Sequence, residues 1–342
     1  MAQAVILAGG QGERFWPMTH AKFPKYRIQF DGKASLLQGT YRRLFKVYGK
    51  KNVHVVTTRP HFALIRAELP GLDRRNIHIE PFRNNTAAAI FLSSALMGRR
   101  HGEGESISFF PADQLIQNEV AFKETLQGAL TLSQKKAILV TVGIRPTFPA
   151  TGYGYIEAGA PLPGARDAYR VKRFVEKPDR RTAEKYIKNR RFFWNGGIFT
   201  WRVGVFMESM KKFAPEIYRR FDLKRLAASY KALPNTSIDY ALLEKADNIA
   251  VCVTRMDWCD MGNWDMMLEK SSRDKRGNFT QGVAWHEEAG GSLLINQSAV
   301  PLVTLGAKNL IVVSTPAGTL VCPRGRAEEA ALLLKKMKTR RS

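Results

Sequence analysis

Short apolar runs alternate with amphipathic stretches through the first half of this chain, and few folds accept that rhythm. The runs fall at 4–8, 53–57, 76–79, 106–110 and 137–142, with helical patterns at about 35–48, 61–69, 86–100 and 118–134. Strand, helix and strand in succession make crossovers, and crossovers build a mostly parallel sheet with helices on both faces. Ligands of such sheets sit beyond the carboxyl ends of the strands. Three candidate segments lie at such ends: 9–14, Asn84-Asn85-Thr86 and Pro111-Ala112-Asp113.

From about 150 to 270 the pattern mixes. Strands are expected at 154–158, 170–175, 195–201 and 249–255, and helices at 180–189, 203–213 and 238–245. This reads as the same domain continuing, with insertions that cover a site. After Asp274-Lys275-Arg276-Gly277-Asn278 the character changes to short apolar runs at 281–285, 292–295, 301–305, 309–314 and 318–322, punctuated by Gly, Asn and Pro. A helix at about 326–338 closes the chain. The expected organisation is therefore an α/β domain over 1–277 and a small β-rich domain over 278–342, whose short turns suit part of a β-helix.

The first apolar run ends in a glycine-rich turn, Leu-Ala-Gly-Gly-Gln-Gly-Glu-Arg at 7–14. Gly9, Gly10 and Gly12 let the backbone turn sharply and bring bare N–H groups against a ligand. Arg14 adds a planar, permanent cation. The combination suits a nucleoside triphosphate. It matches neither G-x-G-x-x-G, which needs glycine where Phe15 stands, nor the Walker pattern, which needs Gly-Lys-Ser/Thr.

Composition narrows the setting. Hydrophobic residues make up 44% of the 342, an ordinary globular share, and no apolar stretch approaches the roughly 18 residues of a membrane span. Cys252, Cys259 and Cys322 form no C-x-x-C and leave an odd count, which argues against a disulfide framework or a zinc site and for a reducing cytoplasm. Fifty-four Lys and Arg against 30 Asp and Glu give a net charge of +24. Such a field draws anions, whether small anionic substrates, nucleic acid or anionic lipid. The cations are scattered in pairs, without a dense run of interleaved aromatics apart from the short basic tail at 335–341, so a generally solvated basic surface is expected rather than a nucleic-acid site.

The full segment LAGGQGERFWPMTHAKFPK, residues 7–25, resembles the signature of the sugar-phosphate nucleotidyltransferases, and Phe-Trp-Pro after Arg14 and the closing Phe-Pro-Lys resemble most its guanylyl-transferring members. Further segments follow in the family order: Glu-Pro at 80–81 with Asn85-Thr86, Pro-Ala-Asp at 111–113, Thr-Gly-Tyr-Gly-Tyr-Ile at 151–156, Val-Glu-Lys-Pro at 175–178, Trp-Asn-Gly-Gly-Ile-Phe at 194–199, Ser-Ile-Asp-Tyr-Ala at 237–241 and Trp-Cys-Asp-Met-Gly-Asn-Trp at 258–264. The resemblance implies a Rossmann-like (GT-A-like) fold and the reaction GTP + mannose 1-phosphate ⇌ GDP-mannose + pyrophosphate. It implies in-line attack of the sugar phosphate on the α-phosphorus, assisted by Mg²⁺ held by Asp113 and Asp260. A phosphate monoester's second pKa is about 6, so the nucleophile is already ionised and needs no general base. Positioning and electrostatics carry the catalysis.

Residue roles are implied in the same way. Arg14, Lys25 and Lys177 would be catalytic cations, with Arg14 and Lys25 on the triphosphate and Lys177 on the sugar phosphate. Leu7, Ala8, Gly9, Gly10, Gly12, Glu13, Arg14, Asn85, Thr86 and Ala112 would line the nucleotide. Gly152, Tyr153, Gly154, Glu176, Lys177, Asn195 and Glu244 would hold the sugar phosphate, while Asp239 reads as a helix cap. Departures from the family pattern are Glu13 for threonine or serine, Asn84 for arginine, Ala88 for proline, Gln114 for histidine and Gly196 for serine. The alternatives are a relative with another sugar or another nucleotide, or a non-catalytic, polyanion-binding one. No sequence remains for the isomerase domain fused to some longer relatives, which implies a single activity. A homo-oligomer is compatible with all of this.

Overall fold

The computed structural model describes residues 2–10, 12–30, 32, 34–327, 329, 330, 332, 333 and 336, and all of these but the Glu13 side chain are open to description. The closing helix expected at 326–338 and the basic tail lie largely outside the described residues. The chain divides into two compact units. The first comprises the residues up to Gly9, Thr40–Ala112 and Ile116–Trp258; the second comprises Gly10–Gly39, Asp113–Leu115 and what is described from Cys259 onward. The expected boundary at 277/278 falls inside the second unit.

The first unit is built on a nine-stranded sheet. Its strand order is Ile77–Glu80, Val53–Thr58, Ala2–Leu7, Ser106–Pro111, Phe192–Arg202, Leu139–Ile144, Ile249–Thr254, Ala168–Val175, Tyr155–Pro161. The first four strands are parallel, as the alternation predicts. The long strand Phe192–Arg202 then inserts antiparallel to both of its neighbours, which makes the sheet mixed. Val53–Thr58 and Leu139–Ile144 are buried at every position, as strands covered on both faces must be.

Helices Asn85–His101 and Glu119–Lys135 pack on this sheet. The first is alanine-rich, buries Ala87–Leu92, ends at Gly102 with φ 89°, and carries Arg99, Arg100 and His101 in its last turn, where cations favour the helix dipole. The second starts where the Asn118 side chain accepts the Ala121 N–H at 3.0 Å. Trp201 stacks on Phe206 and packs at a tilt against Phe109 in the core, with ring centroids 5.1 and 5.4 Å apart. Two elements depart from expectation. Residues 238–245 form a π-helical turn, Asp239–Leu243, and the stretch before it holds two short helices, Pro215–Arg220 and Leu226–Ala232.

The second unit stacks short parallel strands. Phe279, Leu293 and Ile311 align across Phe279–Gln281, Leu293–Asn296 and Leu310–Thr315, and Gly318–Pro323 closes the stack antiparallel. Ala284–Glu287 and Leu302–Leu305 form a second parallel pair. The arrangement is β-helix-like. Its core joins Leu293, Ile295, Ile311 and Val313 to Phe15, Met18, Ile28, Trp264 and Met267. The Phe-Trp-Pro of the signature is therefore anchored here: Phe15 meets Trp264 edge-on at 4.9 Å, the Trp264 indole N–H donates to the Trp16 carbonyl at 3.3 Å, and the Thr315 hydroxyl donates to the Pro17 carbonyl at 3.3 Å.

Cys252, Cys259 and Cys322 are buried free thiols. Among the described residues no helix is long and apolar enough to cross a membrane.

Candidate functional site

The glycine-rich turn is tied down at Gly12, whose carbonyl accepts the Phe15 N–H at 3.0 Å and the Thr19 hydroxyl at 2.7 Å. Gly12 has φ 69°, and a Cβ there would collide with the Cβ of Lys25. Only glycine lets the loop close on that side chain. Lys25 is buried, with 7% of its surface exposed. Its ammonium lies 2.8 Å from Asp113 Oδ2 and donates to the Asp260 carbonyl at 2.7 Å. Burial alone would depress its pKa, but the attraction of Asp113 and then of Asp260 outweighs it and holds the pKa above the usual lysine value. A Cβ on Gly262 would sit 3.5 Å from Arg14 Nη1 and 3.6 Å from Asp260 Oδ2, so the guanidinium and the carboxylate both lie close to that glycine. Arg14, Lys25, Asp113 and Asp260 thus form one cluster in the second unit, and Gln114 beside it is buried.

This donor set fits a hard divalent cation. Magnesium takes oxygen ligands, typically one or two carboxylates completed by water and phosphate. Oxygens of Asp113 and Asp260 already converge on one cation, the Lys25 ammonium. Among the described residues no group of three His, Cys, Asp or Glu makes a closed metal cage.

The remaining nucleotide candidates belong to the first unit. Leu7 accepts the Ala112 N–H at 3.1 Å, and Ala8 is held by the Val56 carbonyl at 2.9 Å and the Thr57 hydroxyl at 2.8 Å. A Cβ on Gly9 would lie 3.6 Å from Glu80 Oε2. Burial pushes the Glu80 carboxyl up to about 7, against the Tyr230 hydroxyl and Arg83. Asn85 is exposed in a left-handed conformation, φ 56°, and its side chain accepts the Thr86 N–H at 2.8 Å. The Thr86 hydroxyl accepts the Ile238 N–H at 2.9 Å. Asn84, which stands where the family has arginine, is buried and donates to the Tyr230 and Leu233 carbonyls at 3.2 and 3.3 Å. It serves as a tether for the helix Leu226–Ala232.

The sugar-phosphate candidates form a second cluster in the first unit. Lys177 is paired with Glu176, and the Glu176 N–H donates to Glu244 Oε1 at 3.0 Å. A Cβ on Gly154 would lie 2.5 Å from Glu176 Oε2, so the glycine makes room for that carboxylate. Tyr153 meets Trp194 and Trp258 edge-on at 5.1 and 5.5 Å, and Gly152 precedes it in open space. Asn195 spends its amide on the protein: Oδ1 accepts from Thr141 Oγ1 at 2.9 Å and from the Gly197 N–H at 3.2 Å, while Nδ2 donates to Asp239 Oδ1 at 3.0 Å. The sheet register shifts between Thr141 and Gly143, opposite this strand, which is the irregularity that re-aims a side chain.

Asp239 is more than a cap. It lies inside the π-helical turn, and burial and then the Glu176 charge raise its carboxyl to about 7. Its Ser-Ile-Asp context at a helix start hides this role. A backbone signal marks the motifs as well. Of the non-glycine residues held at positive φ, Asn85, Lys177 and Met261 sit in three of the motif segments, at 56°, 46° and 47°. Such strain concentrates at working sites.

These features define a nucleotide-handling α/β protein, and the comparisons agree. A nucleotidyl transferase family model matches residues 3–277, and the chain belongs to that family. Relatives from Klebsiella pneumoniae and Escherichia coli, both called mannose-1-phosphate guanylyltransferase, are each 35% identical over 96% of this chain and 72% of their own. A solved Thermus thermophilus structure, described as a mannose-1-phosphate geranyltransferase, superposes with a TM-score of 0.87 at 29% identity, over 98% of this chain and 99% of its own. A Helicobacter pylori structure described as a mannose-6-phosphate isomerase gives a TM-score of 0.61 at 26% identity, over 75% of this chain and 99% of its own.

Proposed function

We propose that the chain transfers GMP from GTP to mannose 1-phosphate, giving GDP-mannose and pyrophosphate. The observation that carries this reading is the cluster of Arg14, Lys25, Asp113 and Asp260, in which a buried ammonium is held by oxygens of both acidic residues. Relatives named for that reaction support the choice of substrates. Arg14 and Lys25 bind the triphosphate and the departing pyrophosphate with charge-assisted hydrogen bonds. The loop residues Leu7–Gly10, Gly12 and Glu13, with Ala112, lie along the nucleotide, and Asn85 and Thr86 face its base. Lys177 takes the sugar phosphate. Glu176 and Glu244, with Gly152, Tyr153 and Gly154, take the hydroxyl side of the sugar, and Asn195 orients Asp239 beside them. Asp113 and Asp260 would hold the divalent ion, Mg²⁺ in this reading, which supplies charge neutralisation when bound. The protein's own work is to bring two anions together in line and to bind the charge that develops on the pyrophosphate. The buried free thiols suit a reducing cytoplasm.

The test is pyrophosphate release with each of GTP, UTP, dTTP and ATP against mannose 1-phosphate and glucose 1-phosphate. GTP with mannose 1-phosphate is expected to give the highest kcat/KM. A higher value with UTP or dTTP would replace the guanylyl reading with another member of the family.

A further inference from the structure

The basic charge of this chain is concentrated between Arg170 and Arg191. These 22 residues hold ten Lys and Arg against three Asp and Glu, a net charge of +7 out of the chain's +24. All ten cations are exposed. Three stand on the strand Ala168–Val175 and four on the helix Arg180–Lys188. Arg173 joins the two elements, its guanidinium lying over the Tyr186 and Phe192 rings at 5.6 and 5.7 Å. The helix buries Ala183, while Arg181, Lys185 and Lys188 recur at i, i+4 and i+7 along one outer stripe. The acidic neighbours are already engaged. Glu157 pairs with Lys172 and Arg173, Glu176 with Lys177 and Glu184 with Arg180, and Asp179 accepts the Thr182 N–H at 2.8 Å. Arg170, Lys185, Lys188, Arg190 and Arg191 make no ion pair among the described residues. Arg180 and Arg181 also occupy the first turn of the helix, where the helix dipole opposes cations. Arg181 and Lys185 are like charges four apart, which weakens a helix further. The fold gains nothing from this arrangement, so it points to a ligand outside the chain.

The chemistry of the face selects among anionic partners. An acidic protein would need apolar anchors at the centre of the contact, and the one large apolar side chain exposed between 170 and 191 is Ile187, at 36%. Single-stranded nucleic acid would need free aromatic faces for its bases. Here Tyr186 and Phe192 are stacked on each other at 4.0 Å, beneath Arg173. A DNA duplex is read by a helix that enters its major groove, whereas this helix is held to the sheet by the Tyr186–Tyr155 contact at 5.3 Å. An anionic bilayer asks for none of these features. It requires long, solvated cations within roughly a Debye length, 8–10 Å, of its headgroups, and a cluster of Lys and Arg on one helix supplies them.

We propose that the strand Ala168–Val175 and the helix Arg180–Lys188, with Arg190 and Arg191, form a docking face for anionic phospholipid headgroups. Lys177, placed at the sugar phosphate, is not part of it. Cosedimentation with vesicles tests this, and because the readout is lipid binding it stands whichever nucleotide and sugar the chain accepts. The native chain is expected to bind vesicles of phosphatidylglycerol and phosphatidylcholine, not vesicles of phosphatidylcholine alone, and to be released in about 1 M salt, where the Debye length is about 3 Å. Replacing Lys185, Lys188, Arg190 and Arg191 together by Gln is expected to weaken that binding on the order of 100-fold, with pyrophosphate release unchanged. Replacing Arg42, Lys50, Lys51 and Arg99 by Gln removes the same charge elsewhere and is expected to weaken it less than about five-fold. Circular dichroism checks that both variants fold, and Lys185→Gln with Arg191→Gln, expected to lose about ten-fold, serves if the fourfold variant does not. A native chain that ignores anionic vesicles overturns the proposal. Equal losses in the two fourfold variants overturn it too, since they would assign binding to the charge of the whole surface. Tighter binding to a DNA duplex than to the vesicles, lost only when the 185–191 cations are replaced, would give the face to nucleic acid and overturn it likewise.

Discussion

The ammonium of Lys25 and the carboxylate of Asp113 lie 2.8 Å apart although 88 positions separate them in the chain, and the same ammonium caps the Asp260 carbonyl. One cation thus organises both acidic motifs. Lys25→Met is expected to lower pyrophosphate release by about 100-fold or more, the scale of losing one preorganised charge contact, while circular dichroism shows a folded chain. Lys25→Arg is expected not to restore the rate, because a planar guanidinium cannot take the place of a compact ammonium beside Gly12. A near-native rate in Lys25→Met would remove Lys25 from the reaction, and one in Lys25→Arg would show that any cation serves there.

Gly12 and Gly10 make a matched pair. A Cβ at Gly12 meets Lys25 and must adopt φ 69°, whereas a Cβ at Gly10 meets nothing within 4 Å. Gly12→Ala is expected to cost about 1 kcal/mol or more of stability and most of the activity, through displacement of Lys25. Gly10→Ala is expected to leave the melting temperature unchanged. Equal melting temperatures for the two variants would contradict the reading of the loop.

Asp239 gives a pH signature. Its folded carboxyl titrates near 7, raised by burial and then by Glu176, while an unfolded aspartate titrates near 3.8. Between these values the folded chain holds a proton the unfolded chain has released, so this group's contribution to stability declines as pH rises from about 4 to about 7. Asp239→Asn keeps an acceptor for Asn195 Nδ2 and carries no charge. Thermal melts are expected to show the variant gaining on the native chain at pH about 8 and not at pH about 4. A gain of the same size at both values would mean that the carboxyl does not titrate as described.

The buried pair His54 and His78 acts in the opposite direction. Their rings lie 5.2 Å apart, and burial, then neighbouring positive groups, lower them to about 4 and about 3. Unfolded histidines take up protons near 6.5, so acid favours the unfolded chain as pH falls below that value. His78→Leu is expected to flatten the fall in melting temperature between pH about 7 and about 4.5. An unchanged slope would place the acid sensitivity elsewhere.

Much of this was legible in the sequence, and the failures have physical causes. The runs that became strands were short, apolar and bounded by turns, so Val53–Thr58 could be placed to within one residue and Leu139–Ile144 to within two. Helices Pro215–Arg220 and Leu226–Ala232 were not visible, because six or seven residues are too few to show a stripe. Leu226–Ala232 is held partly by Asn84, a contact across more than 140 positions. Asp239 looked like a cap because capping chemistry and a buried carboxyl share one local pattern, and only the distant Asn195 separates them. The resemblance implied that Asp113 and Asp260 share a divalent ion, with Lys25 on the triphosphate; that both acidic residues meet the Lys25 ammonium is a finding of the structure. No local rule predicts that a lysine closing the first loop would join them.

The sharing of one core by Phe15, Trp264 and the stacked strands has a consequence for how this chain can be dissected. The segment beyond residue 277 reads as an appendage, yet Leu293, Ile311 and Val313 share one core with the aromatic side chains that anchor the glycine-rich loop. Cutting there would not release a smaller working enzyme. It would strip the floor from beneath the loop, and the tail that looks dispensable is the foundation on which the first glycine-rich motif stands.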